Sequence, residues 1–247
     1  MNWKSRIDKT HLPEHVAVIM DGNGRWAKQQ GKPRVFGHRN GVKAVRNTAE
    51  AAAELGIQWL TLYAFSKENW RRPKKEVGAL MGLLVDTLGK EVKTLNENNI
   101  RLQAIGDLDL MPDRNRKALI RGMEDTRTNT GMTLILALNY SARWEIAEAA
   151  KKLTKQALLG EISPEDITED RMTEALTTTG VPDPSLLIRT SGEKRISNFL
   201  LWQIAYAELY FIETLWPDFS KEDFYQAIVE YQSRERRFGK ISEQLTT

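Results

Sequence analysis

Short apolar runs alternate along the chain with longer stretches whose apolar residues recur every three or four positions. The runs at 16–20, 59–65, 100–105, 133–139, 185–189 and 208–212 predict six short strands. Between the first two, Val42, Val45, Ala49 and Ala52 form one stripe of a helix that begins near Asn40 and stops at Gly56. Further helices are expected over about 76–95, from Pro112, from about Arg143, and from Ser220 to about Arg236. Ser163, Pro164, Glu165 and Asp166 have the form of a helix start, with Ser as the cap and Pro at the first position. Continuous apolar strands separated by helical crossovers imply a parallel sheet covered on both faces. No linker, repeat or low-complexity segment interrupts the alternation. The expected fold is therefore one α/β domain over 1–247, with a mostly parallel central sheet of about six strands flanked by helices. Sites in such sheets lie beyond the carboxyl ends of the strands. Asp21, Ser66, Asn139 and Arg189 all fall at or just after such an end.

Composition narrows the chemistry. With 41% apolar residues over 247 positions the chain suits a globular domain with a buried core. Lys and Arg exceed Asp and Glu by 36 − 33 = 3, too small a surplus to imply nucleic-acid binding by itself. Cysteine is absent, which removes disulfides, thiolate metal sites and thiol catalysis and fits a cytoplasmic location. The first residues are polar, without the apolar centre of a signal peptide, and no run of about 18 apolar residues is present. Contact with a membrane surface stays open.

Four segments carry candidate chemistry. In Asp21, Gly22, Asn23, Gly24, Arg25 and Trp26, two glycines let a ligand approach the main chain, whose N–H groups could cradle phosphate. Asp21 offers Mg²⁺ a hard oxygen and Arg25 offers phosphate a fork; a tight turn capped by Asp21 explains the same residues. The segment matches neither the Rossmann nor the Walker A pattern. Arg34, His38 and Arg39 lie before or at the start of the first long helix, where an anion is favoured. The stretch Ser66, Lys67, Glu68, Asn69, Trp70, Arg71, Arg72 gathers a hydroxyl, a carboxylate, an amide, an indole and two guanidiniums in one loop. Arg189, Arg195 and Ser197 could converge on a second anion, with Glu208 as a further carboxylate for metal or as the salt-bridge partner of an arginine. The basic cluster Arg234, Arg236, Arg237 reads as a solvated helix end.

Taken in order from about His15 to Gly239, these segments resemble the cis-prenyltransferases, most closely the bacterial undecaprenyl diphosphate synthases. The likeness rests on the stretches 15–27, 37–39, 62–73, 139–140, 186–192, 197–203, 208–211, 215–219 and 234–239. It implies repeated addition of isopentenyl diphosphate to an allylic diphosphate, usually farnesyl diphosphate, with Mg²⁺, in a homodimer that touches the membrane surface at most transiently. By that resemblance Asp21 assists the departing diphosphate and places Mg²⁺, with Glu208 as the second metal carboxylate. Gly22, Asn23, Gly24, Arg25, Arg34 and His38 surround the allylic diphosphate. Asn69 stands where proton removal from isopentenyl diphosphate is assisted. An amide is a poor base, so an orienting role or a relay suits it better. Trp26, Ser66, Lys67, Glu68, Trp70 and Arg72 match substrate-contacting positions. Arg189, Arg195 and Ser197 hold isopentenyl diphosphate, and Arg237 and Gly239 reach the partner subunit's site.

Two departures stand out: Ser141-Ala142 replaces a common pair of glycines, and Lys67 replaces a common threonine. The alternatives are a non-catalytic partner subunit of the same fold, against which the retained Asp21, Arg25, Asn69 and Glu208 argue, and a nucleic-acid-binding protein using the basic loops.

Overall fold

A computed structural model describes residues 2–235. Arg237 and Gly239 lie outside the described residues. The six expected strands are present as β1 (His15–Ile19), β2 (Trp59–Ser66), β3 (Arg101–Ile105), β4 (Thr133–Tyr140), β5 (Leu186–Arg189) and β6 (Glu208–Phe211). They form one sheet in the order β3-β4-β2-β1-β5-β6, and every pairing is parallel.

Alternate side chains point to opposite faces of a strand. Val16, Val18, Leu186, Ile188, Leu134 and Leu136 enter one core; Ala17, Ile19, Leu187, Ile135 and Ala137 enter the other. The first face is covered by α2 (Arg34–Leu55), α3 (Lys74–Glu97), α4 (Asp113–Asp125) and α7 (Lys221–Gln232), through buried residues such as Ala51, Leu88, Leu119 and Phe224. The second is covered from α5 (Ala142–Leu158), through Ala142, and from Phe199 and Leu200. Both faces being covered is why the strands read as unbroken apolar runs. The chain passes from β1 to β2 on one side and later adds β5 on the other, so the strand order reverses at β1 and β5. In open α/β sheets the crevice at such a reversal is where ligands bind.

Three local expectations change. The glycine turn leads directly into a short helix, α1 (Asn23–Gln29). Helix α2 begins at Arg34, ahead of Asn40, so Arg34 and His38 occupy its first turns. Gly37 and Gly41 hide this start by interrupting the apolar stripe. A Cβ at Gly37 would stand 1.9 Å from the Asn23 carbonyl oxygen, and one at Gly41 2.5 Å from Asn23 Oδ1. Glycine there lets α2 lie directly against the start of α1. The Ser163 signal caps only a 3-10 turn, Pro164–Asp166; α6 (Glu169–Ala175) starts later, with Thr168 as its cap.

Candidate active site

At the carboxyl rim of β1, Gly22 has φ 104°, in the left-handed region. A Cβ there would meet Leu215 Cδ2 at 2.9 Å and Ser191 Cβ at 3.0 Å. The sharp turn sets Asp21 beside the end of β5. Thr190, fully buried, locks it in place: the Asp21 N–H donates to Thr190 Oγ1 at 2.9 Å, and that hydroxyl donates to the Asp21 carbonyl at 2.7 Å.

Arg189 is 3% exposed. Its Nη2 donates to Asp21 Oδ2 at 2.8 Å, and its Nη1 to Ser197 Oγ at 2.7 Å and to the Arg195 carbonyl. Burial raises the pKa of Asp21. The Arg189 hydrogen bond, the Gly22 N–H and the charges of Arg189 and Arg25 outweigh it, so the carboxyl titrates below its ordinary value. Arg25 donates to Ser191 Oγ and pairs with Glu193 at 3.2 Å; Arg195 also pairs with Glu193. Asp21, Arg25, Arg189, Arg195 and Ser197 thus form one group.

A second group lies on the α2 side. Arg34, Arg72 and His38 converge on Glu76 Oε1 at 3.3, 3.1 and 4.0 Å. Gly24 leaves room for the Arg34 guanidinium, since a Cβ there would stand 2.6 Å from Nη1. Burial, reinforced by Arg72 and Arg34 against the pull of Glu76, pushes His38 down to about 4. It is neutral at pH 7, a hydrogen-bonding group and not a cation. Asn23, His38, Asn69 and Arg72 border a cavity of 210 Å³ whose deeper walls are Leu62, Leu84, Leu88 and Leu136. An apolar pocket with a few polar groups at one side is the usual form of a small-molecule site.

The loop after β2 joins the two groups. Asn69 Oδ1 accepts from the Ser66 N–H at 3.2 Å, which spends the amide oxygen on holding the loop and supports an orienting role. Glu68 accepts from Asn198 Nδ2 at 2.8 Å, next to Ser197. Lys67 pairs with Asp107 and lies 4.7 Å over the Trp144 ring. Trp70 donates to Asn139 Oδ1 at 2.7 Å and meets Phe65 edge-on, outside the cavity. Trp26 stacks on Phe36 and donates to Asp218 at 2.8 Å. Ser141 is extended, with φ −156°, and its Oγ accepts from Asn198 at 2.7 Å, so its backbone has no need of glycine.

The structure does not bring Glu208 to Asp21. Glu208 opens β6 and stands opposite Leu186, three residues before the register partner of Arg189. At about 3.3 Å per residue it lies roughly 10 Å below the rim. Its carboxylate accepts from Arg234 Nη1 at 2.8 Å. Within its own chain Glu208 thus stands at the amino end of β6, away from Asp21. Among the described residues no group of three His, Cys, Asp or Glu side chains stands together. Asp21 fits Mg²⁺ as a partly exposed carboxylate that the ion can use with substrate phosphate oxygens and water.

Four participants were not singled out by sequence: Thr190, Glu193, Glu76 and Asn198. Thr190 and Glu193 lie in the loop after β5, where position alone was a signal. Glu76 and Asn198 act across the fold and had none.

Among the described residues, the buried side-chain polar atoms without a partner include Arg189 Nε, His38 Nε2 and Asn23 Oδ1. All three lie in these two groups. Fold and site together define a parallel α/β protein with two basic groups at the strand rim and an apolar cavity beneath them. The chain belongs to the prenyltransferase family described as "Putative undecaprenyl diphosphate synthase", whose sequence pattern matches residues 19–239. It is 53% identical over 98% of its length to a ditrans,polycis-undecaprenyl-diphosphate synthase, (2E,6E)-farnesyl-diphosphate specific, of Vibrio vulnificus, covering 96% of that protein. It is 54% identical over 95% of its length to an isoprenyl transferase of Porphyromonas gingivalis, covering 92% of it. Among solved structures it is similar to lavandulyl diphosphate synthase from Lavandula x intermedia in complex with dimethylallyl diphosphate. There the identity is 39%, the TM-score 0.90, and the coverage 93% of this chain and 99% of that one. It is also similar to a probable undecaprenyl diphosphate synthase from Campylobacter jejuni, with 37% identity, a TM-score of 0.77 and the same coverage.

Proposed function

We propose that the chain is a cis-prenyltransferase that adds isopentenyl diphosphate repeatedly to farnesyl diphosphate and makes undecaprenyl diphosphate. The observation that carries this is the pairing of two polar groups with one apolar cavity: Arg189 with Asp21 on one side, Arg34, His38 and Arg72 on the other, and the leucine-walled space below.

In each cycle the C1–O bond of the allylic diphosphate breaks and diphosphate leaves. The terminal carbon of isopentenyl diphosphate bonds to C1, and a proton is lost from its C2. Arg25, Arg34 and Arg72 stabilise negative charge on the leaving group. Neutral His38 donates a hydrogen bond to it. Arg189, Arg195 and Ser197 orient isopentenyl diphosphate, while Asn69 fixes the loop beside the reacting carbons. Mg²⁺, held by Asp21 and substrate phosphate, would supply charge neutralisation to the departing diphosphate. The proton goes to water or to phosphate.

A homodimer belongs to this reading. Strand β6 is an edge strand with Leu209 37% exposed, and an open edge offers unpaired backbone groups to another chain. Arg237 and Gly239 would then reach the partner's site. No described helix is long and apolar enough to cross a membrane. Work in the cytoplasm, with product release at a membrane surface, completes the proposal. The test compares Asp21→Ala with the unaltered chain for incorporation of labelled isopentenyl diphosphate. Loss of elongation in a folded variant supports the assignment; undiminished turnover refutes it.

A further inference from the structure

Helices α2 and α3 wall the apolar cavity, and charged contacts tie them together at two levels. The upper tie is Glu76 with Arg34, at the diphosphate side. The lower tie is Arg46 with Glu91, about 18 Å further along α2 and about 22 Å further along α3. Arg46 Nε donates to Glu91 Oε2 at 3.0 Å and Nη2 to Oε1 at 2.5 Å, a two-pronged pair. The Glu91 side chain is only 17% exposed.

Beneath this pair lies a second apolar chamber of 70 Å³, closed below by Leu95, Ile100, Leu102 and Leu134. It shares Val42, Val45, Leu88 and Leu136 with the upper cavity, so the two form one path leading away from the diphosphate groups. Arg46 and Glu91 are among the few charged residues along its lining. The volumes, 210 and 70 Å³, fall below the about 300–1,000 Å³ that drug-sized ligands occupy. A tail of many isoprene units cannot enter unless α2 and α3 move apart. Each added unit favours entry by leaving water. Opening at the depth of the second chamber breaks both hydrogen bonds of the pair and leaves the Glu91 carboxylate beside an apolar wall without its partner.

We propose that the Arg46–Glu91 pair is a determinant of product length, a cross-tie that resists opening of the lower chamber and sets where elongation stops. The inference rests on the polyprenyl synthesis reading above. Neither residue touches the diphosphate groups, so its effect is on length and not on the bond-forming step.

The experiment incubates purified unaltered chain, Arg46→Lys, Arg46→Met, Glu91→Gln and the charge-swapped double variant R46E/E91R with farnesyl diphosphate, labelled isopentenyl diphosphate and Mg²⁺. Products are separated by reversed-phase chromatography, and folding is checked by thermal melts. Arg46→Met and Glu91→Gln should shift the distribution toward longer products. Arg46→Lys, which keeps the charge but loses the two-pronged geometry, should shift it less, and the charge swap should return it toward the original. Unchanged or shorter products from the folded single variants would overturn the proposal. So would a charge swap that makes products as long as the single variants, because general loosening would then explain the shift. If Arg46→Met does not fold, Arg46→Lys and the swap decide in the same way. Absence of elongation by the unaltered chain would instead sink the underlying function, a separate failure from unchanged lengths.

Discussion

Arg189 and Asp21, 168 residues apart in the chain, share a hydrogen bond of 2.8 Å between Nη2 and Oδ2 that joins the ends of the neighbouring strands β5 and β1. The guanidinium is buried and the carboxylate is at the solvent edge. Asp21 therefore balances Arg189 and, in the proposed function, also faces the ligand. Asp21→Ala should lower elongation by at least about 10²-fold, the size of loss typical for one electrostatic contributor. It should also destabilise the fold by about 1–3 kcal/mol, as a buried donor loses its partner. Steady-state rates and denaturant unfolding of the same preparation check both.

Thr190 holds the Asp21 backbone through both its N–H and its carbonyl. Thr190→Val keeps the shape but removes one hydrogen bond from each group, leaving the Asp21 N–H on the Ile19 carbonyl at 3.1 Å and the Asp21 carbonyl on the Trp216 N–H at 3.0 Å. A stability loss of about 0.5–1.5 kcal/mol is expected, together with a fall in kcat on the order of ten-fold as Asp21 shifts. A valine variant with unchanged kcat and stability would show that the backbone bonds to Ile19 and Trp216 hold the turn without Thr190.

Gly37 allows α2 to touch the α1 backbone at Asn23. Gly37→Ala must push the helices apart, since a Cβ 1.9 Å from a carbonyl oxygen has no room. The expected cost is about 1–3 kcal/mol, with weaker allylic diphosphate binding because Asn23 and His38 separate. Thermal melts and the KM for the allylic substrate measure the two effects.

His15 and His38 are both pushed down by burial to about 4 from an ordinary 6.5. His15 lies at the far end of β1, with Nδ1 2.6 Å from the Pro182 carbonyl and Nε2 2.7 Å from Thr61 Oγ1. A carbonyl only accepts, so Nδ1 carries the proton. Below pH 6.5 the unfolded chain binds protons that the folded chain refuses. Stability is thus fully present above pH 6.5 and is lost as pH falls toward 4, by up to about 3 kcal/mol for His15. Urea midpoints measured across this range should fall steadily, and His15→Gln should flatten the slope. A midpoint constant from pH 6.5 to 4 would contradict the burial of both rings.

The strands were legible because both faces of the sheet are covered, which leaves runs such as 133–139 almost wholly apolar. The start of α2 was not, because Gly37 and Gly41 serve helix contact and break the stripe that marks a helix. The cradle residues near strand ends, Asp21 and Arg189, could be read from position. The opposing carboxylate Glu76 could not, since its role depends on α3 meeting α2. Glu208 shows the converse limit: a residue on a strand can belong to either rim, and only the register with β5 places it at the amino end of its own chain's sheet. Motif order identified the family well, while the local chemistry of each side chain needed the fold.

The most direct test of the central claim is one incubation of the purified chain with farnesyl diphosphate, labelled isopentenyl diphosphate and Mg²⁺, with the product lengths read by chromatography. The expected result is a ladder leading to a long-chain polyprenyl diphosphate of undecaprenyl length, absent when Mg²⁺ is chelated. A product that stops after a single addition, or no product at all from folded protein, would contradict it.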